Sequence, residues 1–292
     1  MQISEYKLGQ DTATAAVVPV RVIAVTGGKG GSGKTSIAVN LAWSLAELGQ
    51  RTLLLDADLG MANVDVLLGL NPAHTLMDVL YRQYRLEEIV IGVTDNLLGI
   101  PSARGGSRLA NADAWECAGL IRAFSDLKQP LDTLVIDTAS GLSQSVSSFC
   151  RAASEILMVT NNEPAAIHDT VAQIKVLSVE HGIGKFHILT NKVDSFAEGK
   201  SLFQELLGHF SDDHACLLFH AGSIPADEQL HMAALSHCPV VTAFPRSRSA
   251  MALKNLSRRI STWPRPAGAS GGLEFFVERQ FQNQNTAMEG IS

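Results

Sequence analysis

A chain of 292 residues, 46% hydrophobic and 18% charged, is long and apolar enough to bury the core of one ordinary α/β domain. Its net charge of −6, from 23 basic and 29 acidic residues, argues against a broad nucleic-acid surface. Every apolar run is broken before membrane-spanning length, and the first residues lack the basic start and apolar block of a secretory signal.

Residues 1–19 are polar and Ala/Thr-rich and read as a flexible N-terminal arm. From 20 to 263 short Val/Ile/Leu-rich runs alternate with amphipathic helices. The predicted strands are Val20–Thr26, Arg51–Asp56, Asn96–Ile100, Asp132–Asp137, Glu155–Thr160, Lys185–Asn191 and Cys216–Phe219. The predicted helices lie at 33–49, 62–69, 113–128, 143–153, 163–182, 198–210, 226–236 and 247–262. Nearly continuous apolar strands indicate a doubly wound, mostly parallel sheet covered by helices on both faces, in a single domain. Residues 264–292 read as a Pro/Gly linker followed by an amphipathic segment at Leu273–Phe281. Cys117, Cys150, Cys216 and Cys238 are scattered without a C-x-x-C pair and read as reduced thiols of a cytosolic protein.

Between the first strand and the first helix the chain reads Gly27-Gly-Lys-Gly-Gly-Ser-Gly-Lys-Thr35, a phosphate-binding loop with a second lysine. A strand, a glycine-rich turn and a helix set backbone N–H groups and a positive helix end against phosphate oxygens. Nucleotide binding is therefore assigned to Gly28, Lys29, Gly30, Gly31, Ser32, Gly33, Lys34, Thr35 and Ser36. Lys34 is expected at the β- and γ-phosphates and the Thr35 hydroxyl on Mg²⁺. No arginine finger is evident in cis. Lys29, which precedes the tight turn, is expected to leave on the far side and reach phosphate from a facing subunit, making hydrolysis conditional on dimerisation.

The ligand of such a sheet lies beyond the carboxyl ends of its strands. The second strand runs into Asp56-Ala-Asp58, two carboxylates pointing the same way. Asp56 is expected to face Mg²⁺ and Asp58 to orient water at the γ-phosphate. Asn63 is either a helix cap or an amide on the γ-phosphate. Asp137, before the small-residue loop Thr-Ala-Ser-Gly141, suits a water-mediated Mg²⁺ partner. Thr190-Asn191-Lys192 ends another strand, where the Asn191 amide is expected to read the adenine edge.

With these motifs the chain resembles the MinD/ParA group of deviant Walker ATPases, P-loop NTPases of the SIMIBI type. The resemblance rests on Lys29-Gly-Gly-Ser-Gly-Lys34-Thr35, Asp56-Ala-Asp-Leu-Gly60 and Asp137-Thr-Ala-Ser-Gly141. Within that group it is most similar to the flagellar-number regulators FlhG/FleN. That narrower likeness rests on Asp58–Gly69, Ala118–Asp126, Ile224–Glu228, Ala243–Ala250 and Leu273–Arg279. Ser32 stands where the group usually carries Val. The resemblance implies a slow, dimer-dependent ATPase using ATP/ADP and Mg²⁺, monomeric with ADP and a homodimer with ATP. Lys29, Lys34 and Asp58 would be catalytic, and Thr35, Asp56 and Asp137 would hold the metal. It further implies restraint of a flagellar enhancer-binding transcription activator and work beside a signal-recognition-type flagellar GTPase. The implied location is cytoplasmic, peripheral to the inner membrane or cell pole in the ATP state. Alternatives are a MinD-like division-site or cellulose-system ATPase at the membrane and a ParA-like DNA-partitioning ATPase. Direct nucleic-acid binding is disfavoured by the net charge.

Two apolar stripes bear on membrane contact. Leu253, Leu256, Ile260 and Trp263 either dock on the sheet or lie on an anionic membrane. Leu273, Phe276, Val277 and Phe281, flanked by Glu274 and Glu278, are either a weak membrane contact or a docked segment.

Overall fold

The computed structural model describes residues 19–60, 62–102, 112–210, 216–264 and 273–276. The apolar runs form β1 (Arg21–Thr26), β2 (Thr52–Ala57), β3 (Ile91–Thr94), β4 (Leu97–Ile100), β5 (Thr133–Thr138), β6 (Glu155–Thr160), β7 (Lys185–Val193) and β8 (Leu217–Pro225). They pair in one sheet in the order β3-β4-β2-β5-β1-β6-β7-β8. Every pairing is parallel except β3 with β4. β1, β2, β5 and β6 are buried from end to end, which is why their sequences carry no polar alternation.

The helices are α1 (Lys34–Glu47), α2 (Val64–Leu67), α3 (Leu76–Leu80), α4 (Ala114–Ala123), α5 (Gln144–Ala152), α6 (Pro164–Val179), α7 (Phe196–Gly208), α8 (Glu228–Leu235), α9 (Val240–Ala243) and α10 (Arg248–Ser261). On one face Ile37, Leu41 and Leu45 of α1 meet Leu253, Leu256 and Ile260 of α10. The other face is covered by α4 and α5 at one end and by α6 and α7 at the other. β1 has β5 on one side and β6 on the other, so the chain reverses its winding there. That switch point leaves a crevice at the carboxyl end of β1.

The architecture is the expected one, with local differences. β3 pairs antiparallel with β4 through the turn at Asp95 and Asn96. It is half exposed, and Gly92 leaves little strand signal. α3 is a short helix held by a capping box in which Asp78 accepts from the Thr75 N–H at 2.7 Å. β8 runs six residues past its expected end at Phe219, through His220 and Gly222. The helix expected at 62–69 keeps a single turn.

Both stripes meet the core where they are described. Leu253, Leu256 and Ile260 are buried against α1, which makes α10 a sheet-docking helix, and Trp263 stacks on His187 at 3.7 Å. Phe276 is buried beside Phe124, and so is Phe275, which the stripe omits. Residues 273–276 form a turn, with Phe276 at φ 60°; Val277 and Phe281 lie outside the described residues.

A buried charge cluster closes the opposite end of the sheet. Glu155 pairs with Lys185 and His187 at 3.0 Å, and Arg21 approaches at 4.0 Å while donating to the Trp263 carbonyl at 2.6 Å. Burial pushes the Glu155 carboxyl up, but hydrogen bonds from His187 and Lys185 outweigh it and hold the group below its ordinary range. Its contribution to stability is therefore present above the unfolded-state pKa and lost as pH falls through the folded-state value. Glu155→Ala is expected to destabilise the chain by about 3 kcal/mol or more, because Arg21 is 2% exposed and loses the carboxylate it faces. Urea unfolding at neutral pH measures this, and the gap to wild type should narrow in acid. A loss below about 1 kcal/mol would reduce the cluster to a surface pair.

Candidate nucleotide site

The phosphate loop lies at the carboxyl end of β1, between neighbours that admit no side chain. A Cβ on Gly28 would stand 2.4 Å from the Asp169 backbone, and Gly33 enters α1 with φ 94°. α1 then begins with neither a side-chain cap nor an acidic residue in its first turn. Its N–H groups and positive end are left for an anion.

Two residues from the end of β7 brace the loop from behind. The Asn191 side-chain N–H donates to the Ser32 carbonyl at 2.8 Å, and Lys192 donates to the Gly31 carbonyl at 2.8 Å. Drawing these carbonyls back turns the loop's N–H groups the other way. Asn191 is 2% exposed and its Oδ1 has no hydrogen-bond partner, so an acceptor remains beside the loop.

Three carboxylates and one ammonium converge in front of it. Neighbouring strands β2 and β5 place Asp56 directly beside Asp137 in register. Asp56 is fully buried and accepts from the backbone N–H groups of Asp58, Asn63 and Val64, each at 3.1 Å. Burial pushes it up to about 7 against those bonds. Asp137 is also fully buried, and neither of its oxygens meets a donor at hydrogen-bonding geometry. Burial and then the Asp56 charge hold it well above the carboxylate range; Thr35 and Lys34 beside it pull the other way. Lys34, 6% exposed, donates to Ser140 and to the Lys29 carbonyl. Burial lowers its pKa, and Asp137 and Asp58 oppose that.

The remaining expected residues sit at the rim. Asp58 is half-buried in the loop after β2, where its carboxylate faces the Gly60 N–H at 3.4 Å. Asn63 is exposed at the start of α2, makes no side-chain cap, and meets the site through its backbone bond to Asp56. Lys29 turns away from Lys34 and pairs with Glu163, which also accepts from Asn161 at 2.7 Å.

Ser140, Glu163 and Gln173 also stand in the candidate site and are not among the residues expected there. Gln173 is fully buried and donates to Thr26 Oγ1 at 3.0 Å and to the Gly141 carbonyl at 2.8 Å. It ties β1 to the loop after Asp137. A Gln between Thr170 and Ile174, on the buried face of α6, is the signal that could have found it.

Residues 20–180 match a protein-family model described as an AAA domain. The antiactivator FleN of Pseudomonas aeruginosa is 46% identical over 268 residues, which cover 92% of this chain and 96% of FleN. The chain belongs to the MinD/ParA family of P-loop ATPases. The flagellum site-determining protein YlxH of Helicobacter pylori is 30% identical over 68% of this chain and 67% of its own length. A solved MinD/ParA-family structure, the septum site-determining protein MinD from Pyrococcus horikoshii in complex with Mg-ADP, matches with a TM-score of 0.69 at 27% identity. The match covers 84% of this chain and 97% of that one.

The residues of this MinD/ParA-family chain fit a Mg²⁺–nucleotide. Asp137 offers two buried oxygens, neither at full hydrogen-bonding geometry with a donor, and Thr35 offers a hydroxyl beside it. Mg²⁺ takes few protein ligands and keeps several waters, so one hydroxyl and water-bridging carboxylates suffice.

Proposed function

We propose that the chain binds and hydrolyses ATP as a switch, monomeric with ADP and paired two-fold with ATP, and that the paired form sets flagellar number by restraining a flagellar transcription activator. The separation of the two lysines carries the reading. Lys34 sits inside, among carboxylates, whereas Lys29 sits outside, paired with the exposed Glu163. YlxH, a flagellum site-determining protein, supports the flagellar role, and FleN, an antiactivator, supports restraint of an activator.

In this reading Lys34 and the N–H groups of α1 hold the β- and γ-phosphates. Thr35 ligates Mg²⁺, and Asp56 and Asp137 hold its waters. Mg²⁺ supplies charge neutralisation between the phosphate oxygens when bound. Asp58 orients the attacking water, and the Asn191 Oδ1 accepts from the adenine amine. Lys29 leaves Glu163 to meet the facing subunit's phosphates, where an added cation stabilises transition-state charge.

A signal-recognition-type GTPase is a further proposed partner. The proposed location is cytoplasmic, reaching the inner membrane or pole in the ATP state. No helix among the described residues is long and apolar enough to cross a membrane. Leu253, Leu256 and Ile260 are inside the core, so that stripe is not free for bilayer contact.

Light scattering with Mg-ATP and Mg-ADP tests the switch. Lys29→Ala is expected to remain monomeric with ATP and to lose hydrolysis by about 10²-fold. Glu163→Gln, which releases Lys29, is expected to dimerise at several-fold lower ATP. Lys29→Ala monomers that turn over like wild type would remove the trans role. Weaker pairing by Glu163→Gln would make Glu163 an interface residue.

A further inference from the structure

A second cleft, lined by none of the phosphate-loop residues, lies at the free edge of the sheet. β8 is the last strand in the order, and α7 and α10 come over its edge from opposite faces. Between them is a cleft of about 400 Å³, a volume suited to a metabolite-sized ligand. Lys200 and Phe196 come from α7, His220 and Ser223 from β8, and Asn255 and Arg259 from α10. Among the described residues no Asp or Glu lines it, although the chain as a whole carries a net charge of −6. No described carboxylate pairs with Lys200 or Arg259.

The cleft is a built feature. The Arg259 guanidinium donates to the His220 carbonyl at 3.2 Å. It lies over Gly222, where a Cβ would stand 3.5 Å from Nη1. The His220 ring stacks on Phe203 with centroids 5.0 Å apart and faces Ser223 Oγ at 3.3 Å. Ser223 in turn accepts from Thr190 at 2.8 Å. α7 comes close enough to form this wall because Gly199 has no side chain; a Cβ there would stand 2.1 Å from Ser223 Oγ. The result is a fixed polar floor, apolar walls and a cation on each rim.

We propose that this cleft binds a small organic anion, with Lys200 and Arg259 bracketing its carboxylate or phosphate, Asn255 donating to it, and its apolar body lying against Phe196. Two cations over low-dielectric walls concentrate an anion there. Guanidinium and ammonium groups that lack a carboxylate partner form charge-assisted hydrogen bonds at little reorganisation. The charged groups facing the His220 ring are Arg259 from α10 and Lys200 from α7. Burial and then these charges hold the imidazole below its ordinary range. A bound anion offsets the two charges, so the imidazole pKa rises on binding.

The test uses the full chain with Mg-ADP present to fill the phosphate loop. Phenyl phosphate and benzoate are titrated separately, with benzyl alcohol as the neutral match, while NMR follows the His220 ring between about pH 5 and 8. Both anions are expected to saturate at millimolar or lower concentration and to raise the ring's apparent pKa. Binding of only one would assign the cleft to phosphates or to carboxylates. Lys200→Gln and Arg259→Gln should each weaken binding about tenfold without moving the melting temperature. The proposal is overturned if neither anion shifts the ring saturably, if the double variant binds as wild type does, or if benzyl alcohol binds as well. It is equally overturned if only an acidic peptide binds.

Discussion

Replacing Lys34 by glutamine is expected to abolish nucleotide binding. The ammonium is 6% exposed and stands between the loop carbonyl of Lys29 and Ser140, with Asp137 and Asp58 at hand. Glutamine keeps much of the length but loses the charge that offsets a triphosphate. Each charge-assisted hydrogen bond lost in a buried setting removes about 1.5–3 kcal/mol, so two of them weaken binding by about 10²-fold or more. The variant should still fold, because the glutamine amide can donate to Ser140 and to the Lys29 carbonyl in place of the ammonium. Thermal melting separates the cases. Wild type at about 100 Kd of Mg-ADP gains about 2.7 kcal/mol, on the order of 5–10 °C for a domain of this size. The variant should gain about 0.4 kcal/mol or less at the same concentration. An equal gain would place the phosphates elsewhere.

The placement of the candidate site was legible because buried parallel strands write themselves as unbroken apolar runs. A polar residue that ends such a run must stand at the sheet's carboxyl edge. The carboxyl-edge positions of Asp56, Asp137 and Asn191 follow from this, and the phosphate loop from its spacing. What could not be read was pairing. Asp56 stands beside Asp137 only because β2 and β5 share a register set by the whole sheet. Asn191 braces the loop through the Ser32 carbonyl, a contact between residues 159 positions apart. The Lys29–Glu163 pair likewise joins two loops that no local pattern links.

The other misses have a common origin in weak or ambiguous periodicity. β3 is a half-exposed edge strand interrupted by Gly92, so its alternation is too short to separate from a loop. The stripe at Leu273, Phe276, Val277 and Phe281 has helical spacing. Residues 273–276 instead make a turn that drives Phe275 and Phe276 together onto Phe124, an arrangement helical spacing excludes. The same spacing at Leu253, Leu256 and Ile260 read correctly as an apolar face, but only packing on α1 decided what covers it.

Replacing Asp58 by alanine is expected to leave binding intact and stop turnover. The two carboxylates after β2 have different surroundings. Asp56 accepts three backbone N–H groups and so fixes the loop and the start of α2. Asp58 contributes its backbone to that cage, and alanine preserves that bond. The carboxylate itself is half-buried at the mouth, facing the Gly60 N–H and lending charge to the surroundings of Lys34. Removing it should therefore cost little stability, while losing about 10²–10⁴-fold in hydrolysis as expected for a group that orients a reacting water. If hydrolysis is what separates the subunits, the variant should persist as a dimer in Mg-ATP and remain a monomer in Mg-ADP. Asp56→Ala supplies the contrast, since it opens three backbone donors and should lose stability and binding together. Light scattering alongside phosphate release distinguishes the outcomes. Wild-type turnover in Asp58→Ala would remove its water-orienting role. A variant that binds ATP yet stays monomeric would instead make Asp58 part of the contact between subunits.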